Sequence, residues 1–459
     1  MAAAFFAPLS TAGVEFDRRK AAHLLRRAGF APTEAELDQA IEQGLEATVE
    51  KLLADDSEQE AAFQQAFDSV AGSLLNVADP FQVQSWWLHR MVKTASPLRE
   101  KLTLFWHGHF ATSVHKVEDG ELMRRQIDTL RRLAWGNFRE LVQAMARDPA
   151  MLVWLDGESS TREHPNENFA RELMELFTCG IGNYTENDVL EAARAFTGWH
   201  RAASEFVFHP DDHDFDRKSF LGKSGRFDGQ DVIDILMQQP ATSRFIAGKL
   251  LRFFAAPQPS EEAIAEAGRL LDQTQLDIKW FLRELFLSAW FYGEECYRRR
   301  IASPVEFVVG TVRALGARMP AADLNNHIQA MGQELLAPPN VKGWDGEQTW
   351  INSSTWPARL AFAQGVSILY SENAYGPHLP LEAIVPAHLN EPKSVVDRLA
   401  EVLFQGELAD EARREVAEFL VKTEEGPNAD VFRDDEGFRT DKTRQALAVM
   451  LSLPEYHAW

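Results

Sequence analysis

Apolar residues recur at helical spacing along almost the whole chain, and this pattern constrains the fold more than any other feature of the sequence. The segment 164–180 shows it clearly, because at about 100° per residue its apolar and charged side chains separate onto two faces. Pro165 suits the first turn of a helix, and Gly180 suits the position just after its end. Strand-like runs are few. The sequence therefore predicts an all-α fold, a large globular array of many helices.

The predicted helices form one continuous unit over residues 1–459, since neither an internal repeat nor a low-complexity linker interrupts them. Breaks in the helical pattern suggest a subdivision of this unit into residues 1–200, 201–301 and 302–459. The longest irregular segment covers residues 200–229 and is rich in Asp, His, Lys and Gly. Long segments of this kind are usually functional or mobile.

Charge and composition exclude several classes of partner. The net charge of −22 argues against binding to nucleic acid or to an anionic membrane surface, because both need basic clusters. No apolar run approaches the roughly 20 residues that span a bilayer. Cys179 and Cys296 are too few for a disulfide framework and are expected to be buried packing residues. The N-terminal apolar run has no basic region before it, so we expect a soluble cytoplasmic protein.

Two histidines, His107 and His109, lie two residues apart among aromatic residues. If this segment is extended, both imidazoles point to one side, and such a pair can supply two ligands to Zn²⁺, Fe or Mn. The alternative is a pair of hydrogen-bonded histidines packed between aromatic rings. The spacing alone leaves both interpretations open.

The charged face of the 164–180 helix carries Glu167, Arg171 and Glu172. These side chains can complete a metal shell or supply a general acid and a general base. The alternative is a solvated face, on which Glu167 caps the helix and pairs with Arg171 at a gain of about 0.2–0.5 kcal/mol.

The irregular segment suggests at most a small β-hairpin, which would pair residues 206–208 with 218–221. It also contains a dense group of imidazole, carboxylate and ammonium side chains: His209, Asp211, Asp212, His213, Asp214 and Lys218. Such a loop suggests contact with a metal or a substrate, and the alternative is a solvated turn.

An aromatic loop, Pro338–Trp344, follows later in the chain. It suggests a carbohydrate or peptide site by stacking, or else a loop fixed to the core by its Trp residue. The signatures of zinc proteases, of hydrolase nucleophile elbows and of dinucleotide sites are absent from the sequence.

Several separated blocks give the chain a specific resemblance: Ala22–Phe30, Phe105–Phe110, Asn166–Gly180, Ala193–Trp199, His213-Asp214 with Lys218 and Gly222, and Pro338–Trp344. Together they resemble the bacterial domain-of-unknown-function 1800 family almost from end to end. The resemblance implies no established activity. It implies that many members are exported and carry a leader, and that a sulfatase-like protein is a partner to consider, since the genes often lie side by side.

These observations lead to two hypotheses. The first is a metal-dependent enzyme with a polar cleft, in which His107, His109 and Glu172 hold a divalent metal ion that acts on a small-molecule, carbohydrate or peptide substrate. The catalytic residues of this cleft would be Glu167, Arg171, Glu172, His213, Asp214 and Lys218. The second hypothesis is a non-catalytic binding or assembly protein, in which the same residues form a buried polar network that holds the helices in register.

Overall fold

The computed structural model describes residues 4–54, 58–371, 373 and 375–459. These residues are mainly helical and contain only short strands, which confirms the predicted all-α fold. In the described ranges the helices are α1 Arg18–Ala28, α2 Glu34–Leu52, α3 Glu58–Leu74, α4 Pro80–Lys93, α5 Pro97–His109, α6 Val114–Val117, α7 Gly120–Arg132, α8 Phe138–Ala146, α9 Pro149–Trp154, α10 Glu167–Glu172, α11 Glu186–Ala195, α12 Gly229–Met237, α13 Pro240–Phe254, α14 Glu261–Gln273, α15 Ile278–Leu287, α16 Pro304–Ala314, α17 Ala321–Ala330, α18 Thr355–Ser367, α19 Leu381–Ile384, α20 Pro392–Phe404, α21 Asp410–Leu420, α22 Ala429–Asp434, α23 Glu436–Leu451 and α24 Pro454–His457.

Side chains that accept hydrogen bonds from free N–H groups set the starts of many helices. Thr33 accepts from the Glu36 N–H (3.2 Å), and the Glu36 carboxylate accepts from the Thr33 N–H (2.7 Å), so a capping box begins α2. Thr185 and Asp188 form the same arrangement at the start of α11. Gly44, with a φ of 81°, kinks α2 between two helical halves.

The helix predicted over 165–180 changes its geometry halfway. After α10, a π-helical turn covers Leu173–Thr178. Hydrogen bonds of a π-helix reach one residue further back than those of an α-helix. The Cys179 N–H accordingly donates to the carbonyl of Met174, five residues back, at 3.1 Å, and the Gly180 N–H closes the turn by donating to the same carbonyl at 2.9 Å. This wider turn moves the side chains that follow away from the positions expected for a regular helix.

The strands form three short antiparallel hairpins in the described residues: β1 Trp199–Ala202 with β2 Glu205–Phe208, β3 Lys218–Phe220 with β4 Lys223–Gly225, and β5 Lys422–Thr423 with β6 Gly426–Pro427. The expected pairing of residues 206–208 with 218–221 is therefore wrong. Each strand instead pairs across a short turn with its neighbour in sequence, which costs the chain less entropy than a longer loop.

One continuous hydrophobic core runs from Phe6 to Trp459 and includes residues from all three sequence parts. Buried charges also bridge these parts. The ammonium group of Lys101 on α5 contacts the Glu306 carboxylate on α16, and Arg300 Nη1 lies 3.2 Å from the same carboxylate. Among the described residues, no helix has both the length and the apolar composition needed to cross a bilayer.

Candidate functional site

His107 and His109 lie in the last turn of α5, and the segment is not extended. Successive residues of a helix are about 100° apart, so these two imidazoles point in different directions. Both side chains are buried, at 0% and 2% exposure. The geometry that would let the pair hold one ion does not occur in this helix.

Each of these imidazoles already has a polar partner, although His107 Nδ1 is buried without one. His107 Nε2 accepts a hydrogen bond from the Leu336 N–H (3.1 Å), and burial lowers the pKa of His107 to about 3. His109 Nε2 lies 3.0 Å from the Phe177 carbonyl, while Lys249 Nζ lies 3.1 Å from its Nδ1. Burial and the Lys249 charge keep the pKa of His109 well below its ordinary value. Both histidines are thus neutral links between elements of the core.

The charged face of α10 is occupied by ion pairs. Arg171 donates to both carboxylate oxygens of Glu186 (2.8 and 2.7 Å) and lies 3.6 Å from Glu167. Glu172 is half-buried, and this burial together with the Glu175 carboxylate raises the pKa of Glu172. Arg171 is therefore held by ion pairs with the start of α11 and with Glu167.

The His213-Asp214 block lies beside the other end of α11. Arg194 Nε donates to Asp214 Oδ2 at 2.7 Å, and this bond lowers the pKa of the carboxyl group although burial opposes the shift. The buried ammonium group of Lys218 donates to the Asp214 carbonyl. His213 Nδ1 lies 2.7 Å from the Thr197 carbonyl.

The predicted catalytic residues consequently fall into separate groups. Glu186 and Arg194, which hold the α10 face and the His213-Asp214 block respectively, are eight residues apart on α11. At 1.5 Å per residue this separation is about 12 Å along the helix axis. In the part of the chain that the structure describes, His107, His109 and Glu172 do not belong to a group of potential ligand atoms within 4.8 Å of one another.

A different group meets that criterion among the described residues: His200, His209 and Asp212. His200 lies on β1, His209 directly follows β2, and Asp212 ends a short 3-10 turn. His200 Nε2 is 3.0 Å and His209 Nδ1 is 3.7 Å from Asp212 Oδ2. In a tetrahedral site with bonds of 2.0–2.1 Å, neighbouring ligand atoms are roughly 3.3 Å apart. The two distances to Asp212 are close to this value, and all three atoms lie within 4.8 Å of one another, so the group is compatible with one shared ion.

The hydrogen bonding of His200 supports this geometry. Its Nδ1 lies 2.7 Å from the Glu158 carbonyl, so Nδ1 carries a proton, and in the neutral imidazole Nε2 keeps a free lone pair. Nε2 is buried and makes no hydrogen bond, although the Asp212 oxygen is close. Metal-binding histidines usually donate their second ring N–H to a carbonyl or carboxylate in this way.

The Thr197-Gly198 pair holds residues 209–214, called here the His/Asp loop, against the start of β1. Thr197 Oγ1 accepts from the Asp214 N–H (2.8 Å). Gly198 has a φ of 79°, and a Cβ there would lie 2.6 Å from the His209 carbonyl oxygen. Only glycine fits this close approach without strain.

His200 is the functional candidate that the sequence did not identify. The His/Asp loop containing His209 was recognised, but the register of β1 and β2, which brings His200 to that loop, was not. The strand-forming residues Phe206, Val207 and Phe208, directly after the turn at 203–204, are the signal that indicates a hairpin here, although they do not fix its register.

The aromatic loop Pro338–Trp344 packs against α5. Gly343 has a φ of 89°, and a Cβ there would lie 2.3 Å from the Gly108 carbonyl oxygen. The Trp344 ring lies edge-on to His107, with 5.6 Å between the ring centroids. This contact agrees with a loop fixed to the core by its Trp residue.

One family model, described as "Protein of unknown function (DUF1800)", matches residues 23–458, which is nearly the whole chain. No curated protein and no solved structure matches the chain. The blocks that carry the resemblance now have positions in the fold: Phe105–Phe110 lies at the end of α5 and packs against the aromatic loop, and Ala193–Trp199 leads into β1, which carries His200. The chain belongs to the DUF1800 family of proteins of unknown function.

Proposed function

We propose that this protein binds a divalent transition-metal ion through His200, His209 and Asp212 and acts as a metal-dependent enzyme. The observation that carries the proposal is the buried Nε2 of His200. This atom has no hydrogen bond, lies 3.0 Å from a carboxylate oxygen, and belongs to a ring whose other nitrogen is fixed by the Glu158 carbonyl. A bound cation satisfies both the lone pair and the carboxylate charge.

The chemistry of the ligands limits the identity of the ion and its role. Two imidazoles and one carboxylate suit Zn²⁺, Fe²⁺ or Mn²⁺, and three protein ligands leave coordination positions open. The His209 side chain is 55% exposed, so a small molecule can reach the site from solvent. An ion held there would act as a Lewis acid and would lower the pKa of a bound water.

The buried histidines of α5 support a separate structural role. His107 and His109 are neutral and hydrogen-bonded to Leu336 and to the Phe177 carbonyl. We propose that they form part of a polar network that fixes α5 against the π-helical turn and the aromatic loop, as in the second hypothesis. This network and the His200 group use different residues, so both proposals can hold.

The first prediction concerns metal binding. Chelator-treated protein titrated with Zn²⁺, Mn²⁺ and Co²⁺ in a calorimeter should bind one ion per chain, and Co²⁺ should produce visible absorption bands. His200→Ala and Asp212→Asn should each weaken binding by more than about tenfold, because each removes one ligand.

The control for this titration is His388→Ala, which removes an exposed imidazole far from the group in sequence. It should bind the ion as the unchanged protein does. The proposal is wrong if the unchanged protein binds none of the three ions, or if His200→Ala binds them equally well.

A further inference from the structure

We propose that residues 155–166, called here the anchoring loop, position all three metal ligands, and that Asn166 is the positioning residue that holds this loop. The inference rests on the proposed function and concerns how the site is assembled. None of the anchoring-loop residues used in the argument supplies a metal-binding atom.

The anchoring loop contacts two of the ligands directly. The Glu158 carbonyl lies 2.7 Å from His200 Nδ1, fixes the orientation of that ring and keeps a proton on Nδ1. The Arg162 N–H donates to the Asp212 carbonyl at 2.8 Å, which fixes the short turn that carries the carboxylate.

The third ligand is held through one intermediate residue. The Ser160 carbonyl accepts from the Gly198 N–H at 3.0 Å, and the Gly198 carbonyl accepts from the His209 N–H at 2.8 Å. A displacement of Ser160 would therefore move both ends of the β1–β2 hairpin that carries His209. All three ligands thus depend on one loop.

Asn166 closes this loop. Its side-chain amide donates to the carbonyls of Leu155 and Asp156 at 2.8 and 2.6 Å, and its backbone N–H donates to Ser160 Oγ at 3.0 Å. Its side-chain oxygen also accepts from the Asn168 N–H at 2.8 Å and so caps α10. One side chain ties the two ends of the loop together and connects the loop to the helix that follows.

The chemistry requires an amide at this position. Asn supplies two N–H donors and one acceptor, and all of them are used. Asp would direct a carboxylate at two carbonyl oxygens, and Ala would leave these carbonyls without a donor. The recurring Asn166-Glu167-Asn168 block therefore has a positioning role through Asn166, in place of the catalytic role expected for its charged face.

The test measures zinc affinity by competition with a chromophoric chelator. Asn166→Ala should bind Zn²⁺ about tenfold more weakly than the unchanged protein, which is the lower end of the effect of removing an outer-shell partner, because Asn166 acts on the ligands through the loop. The Co²⁺ absorption bands should also shift, because the ligand geometry changes.

The matched control is Asn183→Ala. The Asn183 amide similarly donates to nearby carbonyls, those of Cys179 and Gly180 at 2.8 and 3.3 Å, but among the described residues it makes no hydrogen bond to the anchoring loop. Both variants should lose thermal stability, and only Asn166→Ala should lose zinc affinity. A purely structural role for Asn166 would leave the affinity and the Co²⁺ bands unchanged.

The outcomes separate this inference from the proposed function. If the unchanged protein does not bind Zn²⁺, the proposed function fails. If it binds Zn²⁺ and Asn166→Ala binds within about twofold of it, the inference alone fails. If Asn166→Ala does not fold, Ser160→Ala replaces it, because this change removes the Oγ acceptor but keeps the carbonyl bond to Gly198. Ser160→Ala should weaken zinc binding several-fold, and an unchanged affinity would overturn the inference.

Discussion

At the scale of single residues, the chemistry of His107 is set by burial and by one hydrogen bond. The sequence showed two histidines with ligand spacing, but it could not show that α5 continues through both of them. Gly108 does not end the helix, and the backbone of the aromatic loop packs directly on it at Gly343. The helical geometry of α5 points the two imidazoles in different directions, and His107 meets Leu336, a residue more than 200 positions away in sequence.

The second prediction follows from this environment. His107→Ala should reduce the free energy of unfolding by about 2–4 kcal/mol, because it leaves both a cavity and an unpaired Leu336 N–H. Urea denaturation followed by circular dichroism measures the change, and zinc affinity should remain that of the unchanged protein. Full stability combined with loss of the metal would show instead that His107 is a ligand.

At the scale of elements, helical periodicity predicted most of the helices, because a buried face repeating every 3.6 residues is recorded locally in the sequence. The π-helical turn at Leu173–Thr178 was missed, since its extra residue per turn leaves the apolar pattern almost unchanged. The hairpins were paired wrongly because strands of three or four residues carry too little alternation to fix a register. His200 was missed for the same reason.

The third prediction concerns Asp148, which caps α9 and accepts from Gln126 on α7 (2.7 Å). Burial raises the pKa of Asp148 from 3.8 to about 6. The folded state therefore binds more protons than the unfolded state between these pH values, and stability falls as pH rises through this window. The expected loss between pH 3.5 and pH 7 is about 3 kcal/mol from this group.

Asp148→Asn removes the titrating group but keeps an oxygen for the Met151 N–H. Chemical denaturation at several pH values measures the unfolding free energy of both proteins. From pH 3.5 to pH 7 the unchanged protein should lose about 3 kcal/mol relative to the variant. A difference independent of pH would contradict the pKa direction assigned to Asp148.

At the scale of the whole molecule, the continuous core and the buried contacts of α1 favour one structural unit over three. Arg26 donates to the Leu403 carbonyl, and Arg27 donates to the carbonyls of Ala255 and Cys296. We propose that residues 1–459 form a single domain. The sequence supported this interpretation only through the absence of a linker, because contacts across more than 300 residues leave no local pattern.

The fourth prediction is a loss of stability in acid. Burial lowers the pKa of His107 and of His457 to about 3, against about 6.5 in an unfolded chain. The contribution of the two neutral imidazoles to the stability of the folded protein is fully present above pH 6.5, and it is lost as pH falls toward 3. On going from pH 7 to pH 5, each histidine should lower the unfolding free energy by about 2 kcal/mol. This loss outweighs the increase of about 1.4 kcal/mol that Asp148 contributes over the same range.

Thermal unfolding at pH 7 and pH 5 measures this balance. The midpoint should be lower at pH 5, and His457→Gln should reduce the difference between the two midpoints. Equal midpoints at the two pH values would show that these buried histidines do not carry the expected penalty.

The most direct test of the central claim is anomalous diffraction from crystals of the protein loaded with Zn²⁺. A single strong anomalous peak is expected about 2.0–2.2 Å from His200 Nε2, His209 Nδ1 and an Asp212 carboxylate oxygen. Glu158 should still accept from His200 Nδ1 in that structure. A peak beside His107, His109 or Glu172, or no peak at the His200 group when zinc is in excess, would contradict the account.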